Sequence, residues 1–182
     1  MARHVYAHNP LFAFVLFLLV WAVGCDDPPG PVQLGSYALD DMAGLIVGED
    51  VVDIDSEISS DGGGSLHVYS EGKMIINLFE IPTKGFKGDT VIARSVMRSE
   101  SLGGWTTMEL WIFPKEGDPR RILKECKDIG RTRDWNDVEV VFPLLEGEVP
   151  ETLRLAVILG GRGHIWIDDL QVISTWASDV GE

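Results

Sequence analysis

Sulfur and imidazole are scarce in this chain. It holds two cysteines, Cys25 and Cys126, and four histidines, of which His67 and His164 are isolated in the sequence. There is no Cys/His cluster for zinc, no nucleophile elbow and no phosphate loop, which sets aside the commonest signatures of metallohydrolases, serine hydrolases and nucleotide enzymes. Helical periodicity is missing as well: beyond the leading apolar segment, no stretch sustains a 3.6-residue repeat. Positive charge is short, with 15 Lys and Arg against 29 Asp and Glu and a formal net charge of −14. So acidic a chain argues against nucleic acid and anionic lipid as partners, and agrees with the holding of divalent cations.

The N-terminal stretch is of a different kind. Arg3, His4 and His8 precede an unbroken apolar run of 13 residues, Leu11 to Val23, and then Gly24-Cys25-Asp26. Thirteen residues suit the apolar region of a signal peptide better than a transmembrane helix. Ending in Ala-Val-Gly-Cys, the segment resembles a bacterial lipoprotein signal, although Ala22 stands where Leu is commonest. The resemblance implies cleavage before Cys25, lipidation of Cys25 and a place in the cell envelope, held to a membrane by an N-terminal lipid. The resulting chain has 14 Lys and Arg against 29 acids, a net charge of −15. With Cys25 lipidated, Cys126 has no partner thiol. Lys124 and Lys127 beside it favour a lowered pKa, but no His or nucleophile motif accompanies it, so it reads as a buried or unused thiol.

The remaining organisation is a signal over 1–24, a Pro/Gly-rich tether over 25–36, one domain over 37–175 and a tail over 176–182. Within the domain, short alternating runs are separated by turn residues. Tyr37–Met42 and Leu45–Val47 read as an opening strand or two, then Val51–Ile58, Ser65–Ser70, Met74–Ile81, Thr90–Met97 and Trp105–Phe113. Arg120–Lys127 reads as a short strand or a turn of helix. Trp135–Phe142 resumes the alternation, and Thr152–Leu159 and His164–Ile173 flank the turn Gly160-Gly-Arg-Gly163 as a long hairpin. About eight to ten strands at this spacing specify an all-β, two-sheet antiparallel sandwich.

Several pieces, in order, resemble the jelly-roll carbohydrate-binding modules with a galactose-binding-like fold. They are Asp61-Gly-Gly-Gly-Ser-Leu-His-Val68, Gly130–Asp134 running into Trp135 and Val138–Phe142, Leu153–Leu159, and Gly163-His-Ile-Trp-Ile-Asp-Asp-Leu170. The resemblance covers about residues 37–174. It implies a non-catalytic module that binds carbohydrate or a related envelope polymer, and a structural Ca²⁺ between the opening strand, the Asp61 loop and the last strand. The matching ligands are Asp40 or Asp41, Asp61 with its loop carbonyls, and Asp168 or Asp169, with Asp169 ahead. The residues themselves pose the same question, because adjacent acids in a strand point to opposite faces unless a bulge intervenes. An alternative uses the same sandwich as a structural or protein-interaction scaffold with no sugar site.

Sugar binding needs aromatic rings against pyranose faces and polar groups for the hydroxyls. In Trp105–Phe113, Met108, Leu110 and Ile112 share the cleaner core face, leaving Glu109 and Trp111 together on the opposite one. Arg94 interrupts its own apolar strand, so Arg94, Glu109 and Trp111 are the candidate ligand-binding residues. In Met74–Ile81, simple alternation puts Ile76, Leu78 and Glu80 on one face. Glu80 and Glu109 carry no acid-rich motif of a jelly-roll hydrolase, and nothing in the sequence sets their separation, so a glycosidase pair is the weaker reading. Glu80 and Arg94 read as members of an ion-pair network. Trp135 reads as a core anchor at a strand start, Trp176 as exposed, and His67 and His164 as isolated surface residues.

Overall fold

A computed structural model describes residues 30–47, 51–126 and 129–180. The leader and Cys25 lie outside the described residues. Ten strands follow in order: β1 (Val32–Tyr37), β2 (Asp53–Asp55), β3 (Ser65–Ser70), β4 (Lys73–Pro82), β5 (Thr90–Leu102), β6 (Thr106–Pro114), β7 (Arg120–Glu125), β8 (Arg131–Pro143), β9 (Pro150–Gly160) and β10 (Gly163–Thr175). They form two antiparallel sheets in a jelly-roll sandwich. One sheet runs β2-β3-β10-β5-β8, with β1 also on β10, and the other runs β4-β9-β6-β7. No helix among the described residues is long and apolar enough to cross a membrane.

The core lies between the sheets and follows the alternation of the strands. Met108, Leu110 and Ile112 of β6 meet Leu153, Leu155 and Val157 of β9 on one side, and Val91, Ala93 and Met97 of β5 with Ile165 and Ile167 of β10 supply the other. Two chain segments differ from the sequence reading. The opening strand begins at Val32, inside the stretch read as tether, because it pairs with β10 and Leu34 and Tyr37 pack against the core. Residues 38–47 then form a loop, not strands, and Leu39 takes a left-handed φ of 66° there. The ambiguous piece is a strand, Arg120–Glu125, paired to β6.

Among several register irregularities, the β-bulges of β4 and β10 bear on the site, and each re-aims side chains. In β4, Asn77 pairs with Ala156 while Phe79 pairs with Leu155, so one residue is extra. Leu78 and Phe79 are consequently both buried, and Glu80 turns outward to the face of Asn77 instead of sharing one with Ile76 and Leu78. In β10, Asp168 pairs with Val96 and Gln171 with Arg94, so three steps on β10 oppose two on β5. Asp169 has a φ of 52° at this point. Ile167 and Leu170 therefore both face the core while the two acids between them leave it.

Candidate functional site

The β10 bulge lies at a seam. One edge of β10 is bonded to β3 as far as Ile167 and to β1 from Leu170 onward. Asp168-Asp169 fills the gap between them, where the loop after β1 and the loop before β3 arrive. The Asp40, Asp61 and Asp168 carboxylates converge here, with one oxygen of each within 4.8 Å of the others. No Lys, Arg or His among the described residues lies within ion-pair distance of any of the three. The Asp40 carboxyl is held above the usual carboxylate range, first by desolvation and then by the charges of Asp61, Asp168, Asp41 and Asp169.

Each other acid of the predicted set has a definite place. Asp168 is buried, and its Oδ2 accepts hydrogen bonds from the Ser60 N–H (2.9 Å) and hydroxyl (2.6 Å). Asp169, the sequence favourite, is turned outward by the bulge and exposed, so Asp168 takes the position in the cluster. Asp41 accepts the Ala43 N–H at 2.8 Å and serves its own turn. Asp61 is held below the usual range chiefly by the Gly63 N–H, and it also accepts from the Ser59 hydroxyl. A β-carbon on Gly63 would lie 2.8 Å from both Asp40 oxygens, so any other residue here would push the Asp40 carboxylate out of its place in the cluster. Three carboxylates from three chain segments form an oxygen-only donor set that fits a hard divalent cation.

The second site is the outer face of the four-stranded sheet. Register places Asn77, Ala156, Glu109 and Leu123 in one row across it, and Glu80, Arg154, Trp111 and Arg121 in the next. Outward residues of the two central strands are sunken: Ala156 is 0% exposed and Glu109 3%. Outward residues of the edge strands stand proud, with Ile75 at 50% and Leu123 at 48%. The face is thus a trough. Trp111 and Phe113 run along it with ring centroids 6.3 Å apart and planes inclined by 23°. Arg121 lies over Trp111 and Arg154 over Phe113.

Glu109 sits at the floor. Its Oε1 accepts the Trp111 indole N–H at 2.5 Å, whereas Oε2 is buried with no hydrogen-bond donor. Arg121 approaches Oε2 only to 3.6 Å. A buried acceptor left unmade costs about 1–3 kcal/mol, which a ligand donor would relieve once Arg121, the nearest cation, swings aside to uncover this oxygen. Glu80 is bonded by Arg154 at 2.5 Å and belongs to an ion pair. Arg94 does not join this site. It lies on β5 in the other sheet and pairs with Glu139 at 2.6 Å, because β5 and β6 are consecutive in sequence but belong to different sheets.

Among the remaining sequence candidates, Cys126 is buried, and burial pushes its thiol up to about 12, against the lowering expected from neighbouring lysines. Trp135 is only half-buried and stands outside the core, four residues into β8 rather than at its start. Trp176 is half-buried rather than exposed. His67 and His164, isolated in sequence, are hydrogen-bonded to each other at 2.9 Å.

Similar solved structures include the CBM22-2 xylan-binding domain from Paenibacillus barcinonensis Xyn10C, 13% identical, covering 78% of this chain and 99% of that one with a TM-score of 0.57. The CBM22-1 xylan-binding domain of the same protein is 14% identical over 80% of this chain and 96% of its own, with a TM-score of 0.55. A family 30 carbohydrate-binding module is 13% identical over 80% and 99%, with a TM-score of 0.53. At these identities the likeness establishes the jelly-roll sandwich fold. No family model matches the sequence. No curated protein matches it either.

Proposed function

We propose that this chain is a lipid-anchored, non-catalytic glycan-binding module of the bacterial cell envelope, with its sugar site in the trough of Trp111 and Glu109. The observation that carries the reading is the buried, donor-less Oε2 of Glu109 beside a surface-facing Trp–Phe pair. Pyranose rings offer apolar C–H faces for Trp111 and Phe113 and hydroxyl donors for Glu109. Arg121 and Arg154 supply donors at the rim. Two fold neighbours are described as xylan-binding, which makes neutral β-linked polysaccharides the first ligands to try. Glu80 is engaged by Arg154, so Glu109 has no free carboxyl partner there for acid–base cleavage.

The test is a glycan array and titration calorimetry with the full chain in mild detergent. Binding to a neutral polysaccharide is expected, with Trp111→Ala and Glu109→Gln each lowering affinity about ten-fold or more. Uniform lack of binding across the array overturns the proposal.

The structural part of the proposal is a Ca²⁺ held by Asp40, Asp61 and Asp168. It would neutralise the repelling acids and pin three chain segments together. The anchoring part rests on Cys25 and the apolar run before it. Cys25→Ser is expected to move the protein from the membrane fraction to the soluble or uncleaved precursor fraction, with loss of labelled fatty-acid incorporation; unchanged labelling rules the anchor out.

A further inference from the structure

The outer face of the larger sheet carries a feature that the trough does not explain. Tyr69 and His67 of β3 and His164 and Trp166 of β10 form a ring ladder across the strand pair. Tyr69 and His164 have centroids 4.8 Å apart, and His67 and Trp166 also 4.8 Å. Carboxylates of β2 hold the ladder in place: Asp55 accepts the Trp166 indole N–H at 2.9 Å and Asp53 bonds His67 Nδ1 at 2.7 Å. Its two ends are capped by guanidinium groups, Arg98 over Trp166 and Arg162 over Tyr69.

Arg98 and Arg162, like Arg131 and Arg133, have no carboxylate within ion-pair distance among the described residues. Arg94, Arg120, Arg121 and Arg154 each lie within ion-pair distance of a glutamate. Arg162 spends one N–H on the Tyr69 hydroxyl (3.0 Å), which fixes its orientation and leaves the rest of its fork free. It lines a cavity of about 620 Å³ together with Tyr69, His164 and Glu100. The glycine hairpin Gly160–Gly163 makes this possible, since a β-carbon on Gly163 would meet Leu102 Cα at 2.5 Å and Ser101 O at 2.6 Å.

The polar groups of the cavity select a ligand class. With Asp53 accepting from His67 Nδ1–H, neutral His67 accepts from His164 Nδ1–H, a tautomer assigned from the bonding. His164 then presents Nε2 as an acceptor, and Glu100 is a second acceptor. Arg162 is the donor fork, matched to a planar carboxylate. A ring face, two acceptors for hydroxyls and one fork for a single anionic group describe a sugar acid. Glu100 and the overall negative charge disfavour densely anionic polymers. The geometry points to a second saccharide site here, on the opposite side of the sandwich from the trough, selective for a uronic acid residue.

The test is calorimetric titration of the full chain in detergent with glucuronate, galacturonate, mannuronate and guluronate trisaccharides. Each is compared with its carboxyl-reduced counterpart and with acetate. At least one uronide is expected to bind about ten-fold or more tightly than its reduced form, as a charge-assisted fork requires. Arg162→Gln should remove that advantage, Tyr69→Ala should weaken both forms, and Trp111→Ala should leave uronide binding unchanged, all three with melting temperatures near the parent's. Parity between uronide and reduced sugar overturns the site, as does indifference to Arg162→Gln or equal occupancy by acetate. Loss of uronide binding in Trp111→Ala also overturns it, by placing the ligand in the trough. Failure here with neutral glycan still bound leaves the trough reading intact, and the reverse pattern leaves this one intact.

Discussion

A chain from which Gln171 has been deleted will lose much of its stability, whereas a chain lacking Asp169, and Asp169→Gly, will each melt within a few degrees of the parent. Asp169 is the extra residue of the β10 bulge, so without it Ile167, Asp168, Leu170 and Gln171 alternate regularly, and Asp168 and Gln171 still oppose Val96 and Arg94. Deleting Gln171 instead sets Val172 directly after Leu170, both fully buried, and one of them must point to solvent or β10 must leave its register with β1 and β5. Exposing either side chain forfeits about 1.5–3 kcal/mol, to which the broken pairing adds. That is a large part of the roughly 5–15 kcal/mol that keeps a domain folded. Asp169→Gly keeps the residue count and suits the left-handed φ of 52° better than an acid does. Its net effect should stay within ~1 kcal/mol, or about 2–4 °C for a domain of this size. Thermal melts followed by far-UV circular dichroism separate the two outcomes. A Gln171 deletion that melts like the parent, or an Asp169 deletion that fails to fold, would mean that Asp169 is not the extra residue of the strand.

Chelation is the second large effect. With free Ca²⁺ at about one hundred times its dissociation constant, an ion bound only by the native state adds ~2.7 kcal/mol. EDTA should therefore lower the melting temperature by about 5–11 °C, and added Ca²⁺ should restore it. Asp40→Asn sharpens the test, because it removes a ligand and also one of the mutually repelling charges. Its melting point in EDTA should equal or exceed the parent's, and Ca²⁺ should no longer raise it. The pH dependence has a matching sign. The Asp40 carboxyl is raised in the folded state, so at this group the metal-free fold binds more protons than the unfolded chain. In EDTA this group removes stability as pH rises from the unfolded carboxylate range through its folded pKa, and Asp40→Asn abolishes that component. Melting curves indifferent to EDTA and Ca²⁺ would dismiss the ion.

Much of the architecture was legible because a strand writes its burial as alternation. The Met108–Leu110–Ile112 face was assigned correctly from parity alone, and so was the outward placing of Glu109 and Trp111. The three loops that supply the acids were legible only as a family resemblance, and the choice among the acids was not legible at all. Asp168 and Asp169 exchange roles according to which one is extra, and a bulge leaves no mark in a period-two pattern. The same blindness misplaced Glu80, since Leu78-Phe79 alternates acceptably until one residue is known to be unpaired. Arg94 was grouped with Glu109 because their strands are neighbours in sequence, and the jelly roll sends those strands to opposite sheets. His67 and His164 stand 97 residues apart, and only the pairing of β3 with β10 brings them together.

The position of β10 bears on how such a chain is made. Without it, β3 and β5 share no hydrogen bonds and β1 has no partner strand, so the larger sheet has no continuous form. Synthesis proceeds at roughly 5–20 residues per second, and segments already made ordinarily begin to fold as they emerge. Here the strand that joins the early segments is Gly163–Thr175, so the nascent chain stays open until that stretch is available. If the leading apolar run is the export signal proposed above, a late central strand is a form of timing control: it would keep the polypeptide threadable during the interval in which it has to be threaded.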